Sequence, residues 1–205
     1  MKKTLFTAAA LICLFIATSI STAKAEMYIS PNIGLSMLSD SSFSTSVDSG
    51  KISYDSGLSF GLAVGSRIEK NIRLEVEGFY KKNDLNEVKG ETIDYYYSYD
   101  ASSSVSALGI MTNFYIDLLP SEKITPFIGV GLGFVNVDFD TVGSDSGPAY
   151  QMIAGVSFNV SEKTSIDFSY RYLSIFSDMS LSSYGDTIEI DYKSNTVQLG
   201  LRYSF

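Results

Sequence analysis

The end of the chain constrains its fold most. Residues 194–205 alternate almost without error: Val197, Leu199, Leu201, Tyr203 and Phe205 fall on one side, and Thr196, Gln198, Gly200, Arg202 and Ser204 on the other. Successive side chains of a strand point to opposite faces, so this segment is a strand with one apolar and one polar face. It reaches the last residue and ends on an aromatic. Chain termini normally fray, so an apolar strand placed there needs a partner. Two architectures supply one. It is the last strand of a soluble sandwich, or of a membrane barrel, whose last strand closes on its first because no edge stays unpaired in lipid.

The same period of two recurs along the chain. The first strand is expected over Tyr28–Leu38. A hairpin follows, with Leu58, Phe60, Leu62, Val64 and Ile68 on one face, a turn at Glu69-Lys70-Asn71, then Ile72, Leu74, Val76, Gly78 and Tyr80. A helix is excluded there because the apolar residues recur at two rather than at three and four. A second hairpin turns at Pro120-Ser121-Glu122-Lys123, with Pro126, Ile128, Val130, Leu132 and Phe134 on its outer face. A third turns at Ser161-Glu162-Lys163-Thr164, between Tyr150–Val160 and Ile166–Leu173. With the terminal strand this makes eight. Three connections are short and each contains Glu-Lys. Four are long and polar, over residues 39–56, 83–103, 138–147 and 175–192. Strict alternation of short and long connections is expected of an up-and-down barrel with periplasmic turns and extracellular loops. The fold class is therefore all-β, an eight-stranded antiparallel transmembrane β-barrel.

Residues 1–25 read as a cleaved signal peptide and residues 26–205 as the barrel domain. Lys2 and Lys3 precede an apolar run from Leu5 to Ile20, and Ala23-Lys24-Ala25 supplies small residues before a cut at Glu26. Export without a later apolar helix points to a bacterial outer membrane, with its lipid as one partner. A net charge of −8 argues against a nucleic-acid partner. The sequence has no His, and its one Cys, Cys13, lies in the leader. These absences remove Ser-His-Asp and Cys-His catalysis and the usual zinc ligands. No enzyme activity, cofactor or metal is expected.

Two local motifs have bland explanations. Gly129, Gly131 and Gly133 repeat on one strand face and lead into more strand, unlike a phosphate loop, which opens a helix; they make room for bulky neighbours such as Phe127 or Tyr115. Asp138, Asp140 and Gly143 begin like a calcium loop but lack later ligands.

Two residue sets carry functional expectations. Arg67, Arg73, Arg171 and Arg202 share the polar faces with Glu75, Glu77, Asp117 and Asp167. An eight-stranded barrel is only wide enough to be filled by side chains, and buried charges need partners. They are expected to form a salt-bridged plug; an ion path, or acid–base work by Glu75 and Glu77, is the functional alternative. In the second long connection, Tyr95, Tyr96, Tyr97 and Tyr99 are either contact residues, since Tyr is common at binding hot spots, or an extension of the strand pair above the membrane.

Pro126-Phe127-Ile128-Gly129-Val130-Gly131-Leu132-Gly133, Gly155-Val156-Ser157, Tyr170-Arg171-Tyr172 and Gly200-Leu201-Arg202-Tyr203-Ser204-Phe205 resemble stretches of the P44/Msp2 surface-antigen barrels. The OmpA-like and opacity-type eight-stranded barrels are similar too. Tyr203-Ser204-Phe205 also resembles the terminal signature of bacterial outer-membrane proteins, which implies that the barrel-assembly machinery reads Tyr203 and Phe205. No OmpA-type peptidoglycan-binding domain is expected, so cell-wall tethering is not implied. The resemblance bears on architecture; the long connections exceed what joining two strands requires, and unusually long loops are often functional, so a surface-exposed barrel acting through its loops on a host or cell-surface partner is expected. The alternative is a small porin-like channel.

Overall fold

First and last strands pair in the computed structural model, which describes residues 26–205 apart from 40, 45–47, 93–95, 101–102, 121–122, 141–142, 177–178, 184–185 and 191. The expected signal peptide lies outside the described residues. Among the described residues thirteen strands follow in order. They are β1 (Glu26–Leu38), β2 (Ser41–Ser44), β3 (Asp48–Tyr54), β4 (Gly57–Glu69), β5 (Ile72–Thr92), β6 (Tyr96–Asp100) and β7 (Ser104–Asp117). Then come β8 (Ile124–Phe139), β9 (Gly143–Asn159), β10 (Thr164–Ile175), β11 (Met179–Ser183), β12 (Asp186–Ile190) and β13 (Lys193–Ser204).

Eight of these close an antiparallel barrel in the order β1, β4, β5, β7, β8, β9, β10, β13 and back to β1. The closing register sets Tyr28 opposite Ser204 and Ile33 opposite Leu199. It keeps step on either side of Ser30 and Pro31, so the proline, which has no N–H to donate, interrupts pairing without slipping the register.

The period-two pattern separates two environments. Outward residues such as Leu35, Leu62, Val130, Leu132, Met152 and Leu199 are each about half exposed or more, Leu132 at 62%. They form a continuous apolar belt, far larger than the apolar patches a soluble monomer leaves in water. Lipid is the solvent that suits it. Inward residues, polar and charged ones included, are buried or half-buried.

Two expectations need correction. The four long connections are not plain polar loops. β5 continues to Thr92 and, from Leu85 onward, pairs with β3 and β6 instead of a barrel neighbour. β11 pairs with β12 over the fourth connection. In the third, β8 runs on to Phe139 and β9 resumes at Gly143, whose φ of 115° suits a glycine turn. Ladder hydrogen bonds satisfy the backbone of these polar segments, and their Tyr, Thr, Ile and Val residues favour strand.

The core is also not polar throughout. Phe79, Val105, Ala107, Met111, Val135, Val137, Phe139, Ala149, Leu173 and Ile175 are buried together, with Tyr192, at the loop end of the barrel. Val135, Val137 and Phe139 share the inward face of Phe127 because β8 continues beyond the expected strand end.

Candidate functional site in the barrel interior

The interior is layered. Nearest the short turns, β7 delivers Asp117 between two arginines. Arg73 on β5 donates to its Oδ1 from Nε at 3.0 Å and from Nη2 at 2.7 Å. Arg67 on β4 donates from Nη1 to Oδ2 at 2.9 Å and to the Lys70 carbonyl at 2.7 Å. Arg73 also lies over the Tyr115 and Phe127 rings, at 4.7 and 5.0 Å from their centroids. Such placement is favourable for a planar guanidinium. In the same layer, Arg202 on β13 donates from Nη2 to Asp167 Oδ1 on β10 and to Ser157 Oγ on β9, at 3.3 and 3.2 Å.

The middle layer holds two carboxylates two residues apart on β5. Alternation sends Glu75 and Glu77 into the lumen together, yet their partners differ. Glu75 accepts from Tyr115 Oη at 2.9 Å, Tyr28 Oη at 3.2 Å and Asn113 Nδ2 at 3.3 Å. Glu77 accepts from Asn32 Nδ2 and Asn113 Nδ2, each at 3.0 Å, and pairs with Arg171 Nη1 from β10. One carboxylate is held by neutral donors and the other by a cation. Beside them lies a cavity of about 20 Å³, lined by Asn32, Glu75, Tyr115 and Arg171 among others. That is room for a water molecule and not for an organic substrate. Acid–base chemistry by Glu75 and Glu77 therefore lacks a place for a reactant in this geometry.

Above this layer, Lys81 Nζ donates to Thr196 Oγ1 at 2.9 Å and Ser194 Oγ at 3.2 Å, and sits 5.0 Å from the Phe79 ring centroid. The apolar cluster begins there. Lys81 and the donors Tyr28, Tyr115 and Asn113 stand outside the charged set read from the sequence. Their signal was present, since each lies on an inward strand face.

The eight charged residues singled out in the sequence all reach the interior, and seven of them form three ion-paired groups: Arg67 and Arg73 on Asp117, Arg171 on Glu77, and Arg202 on Asp167. Glu75 belongs to a hydrogen-bonded cluster instead. The glycines have the stated geometry: a Cβ on Gly129 would lie 2.6 Å from Tyr115 Cδ1. The neighbour of Gly131 is Asn113 and that of Gly133 is Met111, while Phe127 packs on Gly155. Among the described residues no group of His, Cys, Asp and Glu side chains could hold a metal ion.

Tyr203 and Phe205 point outward, 47% and 66% exposed, at the turn end of the belt; the Phe205 N–H donates to the Met27 carbonyl. Tyr95 lies outside the described residues. Tyr96, Tyr97 and Tyr99 fall in β6, opposite Glu91, Gly90 and Val88 of β5, so they do extend the strand pair.

Comparison with known proteins agrees with this architecture. A family model described as the outer membrane protein beta-barrel domain matches residues 6–205. An uncharacterized protein of Brucella abortus (strain 2308) is 26% identical over 198 residues, covering 73% of this chain and 69% of that protein. Among solved structures, Neisserial surface protein A aligns with a TM-score of 0.58 at 20% identity, over 89% of this chain and all of that one. The outer membrane protein OprG of Pseudomonas aeruginosa aligns at 0.60 and 12% identity, over 87% of this chain and 96% of that one. At these identities the two structures speak for the fold.

Proposed function

The chain belongs to the outer membrane protein beta-barrel domain family, and from that premise we propose that it is a surface-exposed barrel whose projecting strands bind a partner outside the cell. The observation that carries this reading is β5. Its 21 residues exceed what the barrel uses, and from Leu85 to Thr92 it is flanked by β3 and β6. Eight further strand residues extend roughly 25 Å along the strand. A ladder built that far beyond the barrel presents a preformed surface, which lowers the ordering cost of binding. The likeness of several strand segments to the P44/Msp2 surface antigens, and the name of the Neisserial relative, support a surface role. The partner is a host or cell-surface molecule. Tyr203 and Phe205 serve the barrel-assembly machinery at the opposite end.

The lumen supports binding rather than transport. Its middle is ion-paired and its loop end is closed by packed apolar side chains. The test combines single-channel recording with cell-surface binding, on the native barrel and on a variant carrying a Gly/Ser linker at residues 94–100. Little or no stable conductance from either, with binding lost in the variant, is the expected result. Steady conductance in the native barrel, with binding indifferent to the linker, makes a small porin-like channel the better account.

A further inference from the structure

Several inward glycines of the lumen are covered by a neighbouring side chain. A Cβ on Gly129, Gly131 or Gly155 would lie 2.6 Å or less from Tyr115, Asn113 or Phe127. Gly200 on β13 is different. A Cβ there would come no closer than 3.4 Å to Ser30 Oγ, 3.7 Å to Asn32 Cβ and 3.8 Å to Asp167 Cβ. The room it leaves belongs to the interior cavity of about 20 Å³.

Three buried polar side chains line the same cavity: Ser30 on β1, Ser169 on β10 and Gln198 on β13, at 7%, 4% and 5% exposure. None of these three side chains has a hydrogen-bond partner among the described residues. They come from the strands around the closing seam. Ser169 stands opposite Gln198, and Gly200 stands between Asn32 and Asp167. Ser30 falls where the β1–β13 register is interrupted beside Pro31.

A buried hydroxyl or amide without a partner is costly. Arg73, Arg171 and Asp167 also line the cavity, but each already has an ion-pair partner, and Glu75 accepts three hydrogen bonds. The unmet demand is that of neutral groups that both donate and accept. Water meets it. A buried water needs roughly 10–15 Å³ of such space and makes about three hydrogen bonds.

We propose that this cavity is a binding site for an ordered water molecule, held by Ser30 Oγ, Ser169 Oγ and the Gln198 side-chain amide over the bare backbone of Gly200. The water joins β1, β10 and β13 from inside the barrel, next to the point where Pro31 withholds a ladder hydrogen bond. Gly200 is there because a side chain would take the water's place. The site lies within the barrel and does not depend on what the projecting strands bind.

The chain has two glutamines, Gln151 and Gln198, so ¹⁵N-labelling of glutamine side chains gives two amide signals, assigned by the loss of one in Gln198→Leu. Water-selective NOE and ROE spectra are recorded on the barrel in detergent. Gln198 is expected to show a cross peak with long-lived water. Gln151, which donates to Asn113 Oδ1, is expected to show none. Ser30→Ala and Ser169→Ala, taken singly, should leave the Gln198 peak in place, which distinguishes water from a serine hydroxyl exchanging its proton. Gly200→Ala puts a methyl into the space and should reduce the peak to less than half. If Gly200→Ala does not assemble, the native barrel and the serine variants decide. A native Gln198 silent to water overturns the proposal. So does a peak abolished by one serine change, a peak unchanged in Gly200→Ala, or an equal peak at Gln151, which would mean a generally wet lumen.

Discussion

Asp117 holds Arg73 by two nitrogens at once, Nε at 3.0 Å and Nη2 at 2.7 Å, across the paired strands β5 and β7. Arg73 is only 2% exposed. Asp117→Asn removes the charge and leaves this guanidinium buried without its counter-ion. Breaking a buried pair costs about 3–5 kcal/mol, so the urea midpoint of the detergent-solubilised barrel should fall clearly. Replacing both partners, Arg73→Met with Asp117→Leu, should recover part of that loss, because the penalty lies in the stranded charge. A double variant no more stable than Asp117→Asn would show that the cost arises elsewhere.

Arg171 and Arg202 should differ, although both face the lumen. Arg171 pairs with Glu77 in the sealed middle layer, next to Glu75. Arg171→Ala leaves two neighbouring carboxylates with one cation fewer, and a loss of about 3–5 kcal/mol is expected. Arg202 makes a single longer contact with Asp167 and lies toward the open turn end of the barrel. Arg202→Ala should lower the midpoint less. Equal losses, or an unchanged midpoint for Arg171→Ala, would count against the layered reading.

Two glycines give opposite expectations. A methyl at Gly129 meets Tyr115, which cannot retreat because its hydroxyl is bonded to Glu75 and its ring lies against Arg73. Gly129→Ala should therefore destabilise by about 1–3 kcal/mol through overpacking. Gly78 faces outward, and a Cβ there meets nothing within 4 Å. Gly78→Ala should be neutral or stabilising by about 0.5 kcal/mol, because glycine weakens a strand interior. Parallel urea titrations decide both.

The terminal aromatic bears on assembly. Phe205 is exposed, and its backbone N–H donates to the Met27 carbonyl of β1. Phe205→Ala should reduce the fraction of heat-modifiable, assembled barrel in cells while export and leader cleavage proceed. Assembly at native levels would make the ending incidental.

The barrel was legible in the sequence because lipid outside and charge inside impose contrast at every second residue. Leu58 to Ile68 and Ile72 to Tyr80 announce their faces without help from tertiary context. Even the charged lumen set could be named, since an arginine on a polar strand face has nowhere else to go. The projecting strands were not legible. Residues 48–51 of β3 read Asp-Ser-Gly-Lys, with no apolar residue at any position, and polar loop and polar strand then look alike. The apolar upper core was missed for a related reason. Val135, Val137 and Phe139 lie past the point where outward residues stop being apolar, at Asn136 and Asp138, so the pattern that marks the strand ends with the belt. Partners of Glu75 were hidden because Tyr28, Asn113 and Tyr115 come from different strands, and only closure brings them together.

The pairing of β1 with β13 also governs how fast this molecule can form. Tyr28 and Ser204, paired across the closing seam, are 176 positions apart in sequence (204 − 28). Contacts between residues so far apart in sequence slow folding, because the loop entropy is lost before the contact repays it. Every earlier hairpin can form locally, but none can complete the ring. Until the last strand arrives, the chain is an open sheet with two bare edges and an apolar face, the kind of intermediate that aggregates in water. Its lifetime outside the bilayer is therefore a kinetic liability built into the topology.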